Sequence, residues 1–193
     1  SSTFQIGSNS PGFNWEGKDP GKELLISMEW ATPEYINTMG MKIMAGRDFH
    51  QEGFGDSSSI VINESFAKVI SKKPEEAVGK LIDRGDGKLT VIGVIKDFVY
   101  NNVYGTTAPL IIFNDTKAQN TSNLNIRFKA NIDYKQALAK TETVIKGQNP
   151  AYPFEYKFVD EEFENLFKGE SLIGTLAAIF AGLGVASTSG NYV

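Results

Sequence analysis

The sequence has 193 residues, enough for one domain or two small lobes at roughly 150 residues per domain. Its 19 Lys and Arg against 23 Asp and Glu leave a net charge of −4, which argues against a basic nucleic-acid binder. With no cysteine and one histidine, His50, the chain holds no disulfide scaffold, no thiolate metal centre and no multi-histidine site of its own, while 41% hydrophobic residues supply a real core.

Residues 1–22 carry Gly7, Pro11, Gly12, Gly17, Pro20 and Gly21 and read as loop, with Phe13 and Trp15 tucked onto the body. Ser1 to Asp19 has neither the basic start nor the apolar stretch of a signal peptide, and the chain reads as cut from something larger. Leu24, Ile26, Met28 and Trp30 recur with a period of two, which predicts a strand. Thr32-Pro33-Glu34 then predicts a helix start, with Thr32 as cap and Pro33 at the first helical position. Tyr35, Ile36 and Met39 form its buried stripe and Gly40 its end. Lys42 to Ala45 is the next strand, and Gly46-Arg47-Asp48-Phe49 the turn out of it.

Ile60-Val61-Ile62 is a short buried strand, after which Asn63 caps a helix containing Phe66, Ala67 and Ile70. A second short helix runs from Pro74 to Gly79. Leu81-Ile82 and Leu89 to Ile95 flank the turn Asp83-Arg84-Gly85-Asp86-Gly87, a hairpin. Val91, Ile92, Val94 and Ile95 point to both faces, so that strand is covered on both sides. Leu110 to Phe113 is another strand, and Asn114 to Asn123 a polar crossing. Leu124, Ile126 and Phe128 predict a half-exposed strand; Tyr134, Leu138, Thr141 and Ile145 a helix ended by Gly147 and Pro150; Phe154, Tyr156 and Phe158 a final strand. Strand–helix–strand units at 24–49 and 124–159 thus bracket residues 60–113.

Asp160-Glu161-Glu162 opens a long helix with the stripe Phe163, Leu166 and Phe167. Ser171 to Ala186 has no charge, and its 16 residues would rise about 24 Å as a helix, short of the ~20 residues that cross a bilayer. A truncated membrane helix, a buried core helix and a disordered tail all remain open, with Gly174, Ala178, Gly182 and Gly184 favouring the first. Continuity of this helix with the preceding stripe would let it carry rigid-body motion between body and membrane.

No catalytic, cofactor-binding or metal-ligating set emerges. His50 has Asp48 and Glu52 near it in sequence but no surrounding motif, and reads as a turn residue. Ser57, Ser58 and Ser59 follow Asp56 without a nucleophile elbow. Asp83 to Lys88 matches neither a calcium loop nor a phosphate loop, and its Arg84-Gly85-Asp86 triplet is short enough to occur by chance. Asn63, Asn114 and Asn120 open glycosylation-type triplets, but Asn63 is better explained as a cap. Substrate-binding residues cannot be named from the sequence.

Glu34 to Phe49, Ile60 to Ala67, Ala77 to Lys80, Thr90 to Phe98 and Pro109 to Ile112 resemble, in order, the successive motifs of MacB-type periplasmic core domains. Phe154 to Phe163 and Phe180 to Leu183 are similar to the run leading such domains into an FtsX-like membrane helix. The style resembles permeases of Bacteroidetes-type bacteria, which carry two such domains, this being the later one. The Gly/Asn-rich opening and the tail after Ala186 fall outside the resemblance.

The resemblance implies an α+β fold with two lobes. Residues 24–59 and 121–160 would make a porter-like lobe of strand–helix–strand units, and 60–120 an inserted α/β lobe. Around them lie an irregular 1–23, a membrane-proximal helix with a truncated transmembrane start at 161–186, and a tail at 187–193. A single uninterrupted sheet, or residues 171–186 packed inside the body, would count against this organisation and the transporter assignment.

The resemblance further implies a non-enzymatic domain of an ABC transporter permease in the inner membrane, facing the periplasm. It would hold no cofactor, with ATP used by a cytoplasmic ABC ATPase subunit or domain. The permease would be a homodimer, with a periplasmic adaptor or envelope protein as a further partner and no nucleic acid. Its role would be export of a drug, peptide or lipoprotein. The alternative is an FtsX-type regulatory or scaffold domain that binds and activates a cell-wall hydrolase. A hydrolase domain is a third reading, disfavoured by the lone histidine and the missing nucleophile motif.

Overall fold

The computed structural model describes residues 8–50, 55–98, 107–117, 120 and 123–158. The chain forms two compact units, one from Gln5 to Tyr134 and the other from Lys135–Val193 with Ser1–Phe4. The fold is mixed α+β, as the sequence predicts.

The first unit is built on one eight-stranded sheet with the path β1-β3-β8-β5-β7-β6-β2, and β4 pairing β7 off that path. The strands are β1 (Ser8–Ser10), β2 (Asn14–Trp15), β3 (Ile26–Ala31), β4 (Ile43–Gly46), β5 (Ser59–Asn63), β6 (Leu81–Asp83), β7 (Lys88–Ile95) and β8 (Leu110–Asn114). Helices α1 (Tyr35–Met39), α2 (Glu64–Ile70) and α3 (Pro74–Ala77) lie between them, and α4 (Tyr134–Gln148) follows. β3 runs parallel to β8 and β5 parallel to β7; the other pairings are antiparallel.

The path requires the sheet to curl. Seven strands laid flat at ~4.8 Å spacing would put β1 about 29 Å from β2. Yet Ser10, at the end of β1, and Asn14, at the start of β2, are four residue steps apart, a reach of at most ~14 Å. Residues 8–15 therefore draw the two ends of the path toward each other, with Phe13 buried between them. The sequence predicts this segment as loop with Phe13 and Trp15 packed down. The packing is present, and the two short strands are an addition.

Side chains alternate across the sheet, and both faces are covered. Ile60 and Ile62 of β5 and Ile111 and Phe113 of β8 pack with Phe13 and with Phe66, Ala67 and Ile70 of α2. Val61, Leu110 and Ile112 pack on the opposite side with Ile36 of α1 and Phe49. In β7 the alternation slips. Val91 and Val94 share one face, Ile92 and Ile95 the other, because the register with β5 shifts between Ile60↔Val91 and Val61↔Gly93. One extra residue in β7 at that point is a bulge, which turns a period of two into three.

Two glycines let β4 join β7 where β6 leaves off. β6 pairs β7 at Lys88 to Thr90, and β4 pairs the same strand from Gly93 to Ile95. A Cβ on Gly93 would lie 2.2 Å from the Arg47 carbonyl oxygen. A Cβ on Gly46 would lie 2.2 Å from the Ile92 carbonyl oxygen, which accepts the Arg47 amide at 2.9 Å. Gly46 also has φ of 71°, the left-handed region.

The α2 N-terminus is held from three directions. Asn63, fully buried, accepts the Phe66 amide at 3.1 Å as a cap and the Leu110 amide at 2.9 Å, and donates to the Ala108 carbonyl at 2.9 Å. Asp97, just past β7, accepts the Ser65 amide at 2.9 Å and the Ser65 hydroxyl at 2.6 Å. The predicted Asn63 cap is thus present. Thr32 is not a side-chain cap: Glu34 stands at the α1 cap position without a side-chain bond, and the Thr32 carbonyl accepts the Tyr35 amide at 3.0 Å. Gly40 closes α1 in the left-handed conformation, as predicted.

Three expectations need correction. The boundary at 59/60 does not separate two sheets, because β3 and β4 are hydrogen-bonded to β8 and β7. Residues 124–128 and 154–158 are not strands. Their alternation is genuine, but an alternating pattern by itself does not make a strand. The helix of the second predicted unit is present as α4, and it runs through Gly147 to Gln148. The helix from Asp160, the stretch 171–186 and the tail lie outside the described residues.

Asn63→Ala removes a cap and strands the Leu110 amide and Ala108 carbonyl, so it should lower unfolding stability by roughly 2–4 kcal/mol in urea titration. Gly93→Ala should cost about 2 kcal/mol or more in the same assay, since the obstructing atom is backbone and cannot rotate away. Gly87→Ala, with nothing within 4 Å of its Cβ position, serves as the neutral control.

Candidate functional site

The segment Gly46 to Ser59 holds the only group of charged and polar side chains that the described residues bury together. Asp56 is 0% exposed. Its Oδ1 accepts Arg47 Nη2 at 2.7 Å and the Ser59 hydroxyl at 3.1 Å, and its Oδ2 accepts Arg47 Nη1 at 3.1 Å and the His50 amide at 2.8 Å. The Arg47 side chain remains 45% exposed. The guanidinium therefore keeps much of its hydration while its fork satisfies both carboxylate oxygens. This holds the Asp56 carboxyl down at about 2 from an ordinary 3.8, chiefly through the Arg47 hydrogen bonds and against the opposing effect of burial.

The clasp explains the Gly46-Arg47-Asp48-Phe49 motif as architecture. Gly46 permits the close approach to Ile92, Arg47 reaches back to Asp56, Asp48 Oδ1 accepts the Phe49 amide at 2.7 Å, and Phe49 is buried. His50 is exposed and enters through its backbone amide. Ser57 and Ser58 are exposed, and Ser59 is buried as a partner of Asp56. The arrangement fixes the loop that carries it.

The turn after β6 behaves as its residues predict. Asp83 Oδ1 accepts the Gly85 amide at 2.7 Å, Gly85 takes φ of 91°, and Arg84 pairs with Asp86. The adhesion-like triplet is thus closed on itself. Beside this hairpin lies an open groove of about 770 Å³, lined by Trp15 and Glu16, the run Val78 to Leu81, and Lys88. Its charged lining is mixed in sign, Lys80 and Lys88 beside Glu16 and Asp83. Among the described residues no three His, Asp or Glu side chains are placed to hold a metal ion, and no helix is long and apolar enough to cross a membrane.

In sequence Asp56 is one acid in a polar loop, nine residues after Arg47, and no local pattern marks the pair. Asp97 was part of a recognised motif, but its hold on Ser65 spans 32 residues and has no local signature.

Asp56→Asn tests the clasp through pH. The folded carboxyl titrates below the unfolded one, so its contribution is complete above about pH 4 and is lost as pH falls toward 2. The native chain should lose about 2 kcal/mol over that interval through this one group. Asp56→Asn should be less stable at pH 7 and show a flatter acid limb in urea titrations from pH 7 to 2.

No curated protein matches this chain. Among solved structures it is similar to the periplasmic region of MacB from Actinobacillus actinomycetemcomitans, at 17% identity and a TM-score of 0.50, covering 73% of this chain and 64% of that one. A domain of a putative permease from Porphyromonas gingivalis matches at 15% identity and a TM-score of 0.47, covering 80% of this chain and 76% of that one. The extracellular domain of the ABC-type transporter YknZ from Gram-positive bacteria matches at 13% and 0.49, covering 70% and 71%. The family model of the MacB-like periplasmic core domain matches residues 5–144. That span contains the whole curled sheet, the glycine crossing and the Asp56 clasp, and the chain belongs to the MacB-like periplasmic core domain family.

Proposed function

We propose that this domain is the extracytoplasmic, force-transmitting part of an ABC transporter permease of the inner membrane, coupling ATP-driven motion to export of a drug, peptide or lipoprotein from the cell envelope. The observation that carries the reading is the family match over residues 5–144. The internal bracing supports it physically. A sheet tied by the Asn63 junction, the Gly46–Gly93 crossing and the Arg47–Asp56 clasp resists internal shear, so an applied displacement moves it as a body. The domain performs no chemistry and needs no cofactor; a cytoplasmic ABC ATPase hydrolyses the nucleotide. The working permease is a homodimer facing the periplasm, with an adaptor or envelope protein as a further partner.

Spin labels at the exposed Lys73, introduced as Lys73→Cys in the cysteine-free chain within the full-length permease and its ATPase, test the coupling. In lipid nanodiscs the inter-protomer distance distribution should differ between nucleotide-free and ATP-trapped states. An unchanged distribution with an active ATPase overturns it. A nucleotide-dependent gain in affinity for a cell-wall hydrolase, without export, would replace transport by the FtsX-type scaffold role.

A further inference from the structure

We propose that residues 8–18 form a strap that opens and closes as one unit and holds both ends of the curled sheet together. β1 offers three residues to the edge of β3, and β2 offers two to the edge of β6. Ladders this short do not persist alone. Between them Phe13 is 1% exposed, its ring 6.4 Å from that of Phe113, while Trp15 stands edge-on to Phe66 at 5.4 Å. Lys18 folds back over this anchor, its Nζ 2.5 Å from the Phe13 carbonyl and 5.0 Å from the Trp15 ring.

The parts depend on one another. Phe13 reaches its seat only while the chain runs between the two edges, and the ladders stay formed only while Phe13 is seated. Loss of either ladder therefore loosens the other. Phe13 packs in the same cluster as Ile60, Ile62 and Ile111, but those residues are held mainly by one another. Ile60, Val61, Ile62, Ile111 and Ile112 are fully buried in strands paired with one another, and α2 covers one of their faces. At the end of the strap the exposed Gly17 (φ 83°), and just past it the exposed Gly21, supply a hinge. Opening is thus sub-global. It frees the outer edges of β3 and β6 together and empties the aromatic seat between them.

Hydrogen exchange followed by mass spectrometry on the 193-residue chain tests the proposal. Phe13→Ala should speed exchange of peptides covering residues 8–15 by about 100-fold while peptides covering 59–63 and 110–114 change little. A uniform acceleration of all of them, or none, overturns it. If that variant fails to fold, the strap can be clamped instead. Asn14 and Asp83 are directly paired, and antiparallel partners sit ~4.5–5.5 Å apart, within the disulfide range. In oxidised N14C/D83C, residues 8–10 should exchange roughly tenfold more slowly than in the reduced form of the same variant, though the bond lies on β2. Unchanged exchange at 8–10 would show two independent strands and sink the single-unit claim.

Discussion

The side-chain amide of Asn63 makes three hydrogen bonds in a place where water cannot reach. It caps α2, receives the first amide of β8 and donates to the carbonyl two residues before that strand. A buried amide with its partners in place costs little, and one with a partner missing costs more than any of the bonds is worth. Asn63 therefore fixes the position of β8 relative to β5 and α2. Because β8 is also the parallel partner of β3, the same amide indirectly sets the curl on which the strap closes.

The sequence was most legible where one local pattern determines one element. The period of two in Ile26, Met28 and Trp30 yields β3 with those three side chains on a single face, and Asn63 before an apolar helix yields the cap. The Asp83 turn is readable for the same reason, whereas the close approach of Gly46 and Gly93 has no local signature. Legibility failed where structure comes from distant partners. Ser8-Asn9-Ser10 has no strand character and becomes β1 because the edge of β3 is available to it. Leu124, Ile126 and Phe128 have that character and form no strand, and Leu124 is left 73% exposed. The bulge in β7 was hidden too, since apolar residues on both faces look alike in sequence whatever their spacing.

The sheet crosses the expected 59/60 boundary for the same reason. The strand–helix–strand order of residues 26–46 is legible, but adjacency in sequence does not specify adjacency in space. β3 and β4 instead join different neighbours within a shared sheet. An unbroken sheet weighs against two independent lobes in this part of the chain. Family membership rests on the match over residues 5–144 and not on the number of lobes. The family's motif residues in this chain make turns, caps and close backbone approaches.

The parallel pairing of β3 with β8 also bears on how the chain is made. At ribosomal rates of ~5–20 residues per second, β3 waits on the order of ten seconds before β8 emerges. For that interval Ile26, Met28 and Trp30 lack their permanent neighbour, and the one sheet partner already synthesised is β1. The antiparallel pairing of residues 8–10 with 26–28 closes the opposite edge of β3 from the start, so only the edge that awaits β8 stays open during that interval. A segment too polar to look like a strand is well suited to that duty, because it shields the edge without adding apolar surface that could aggregate.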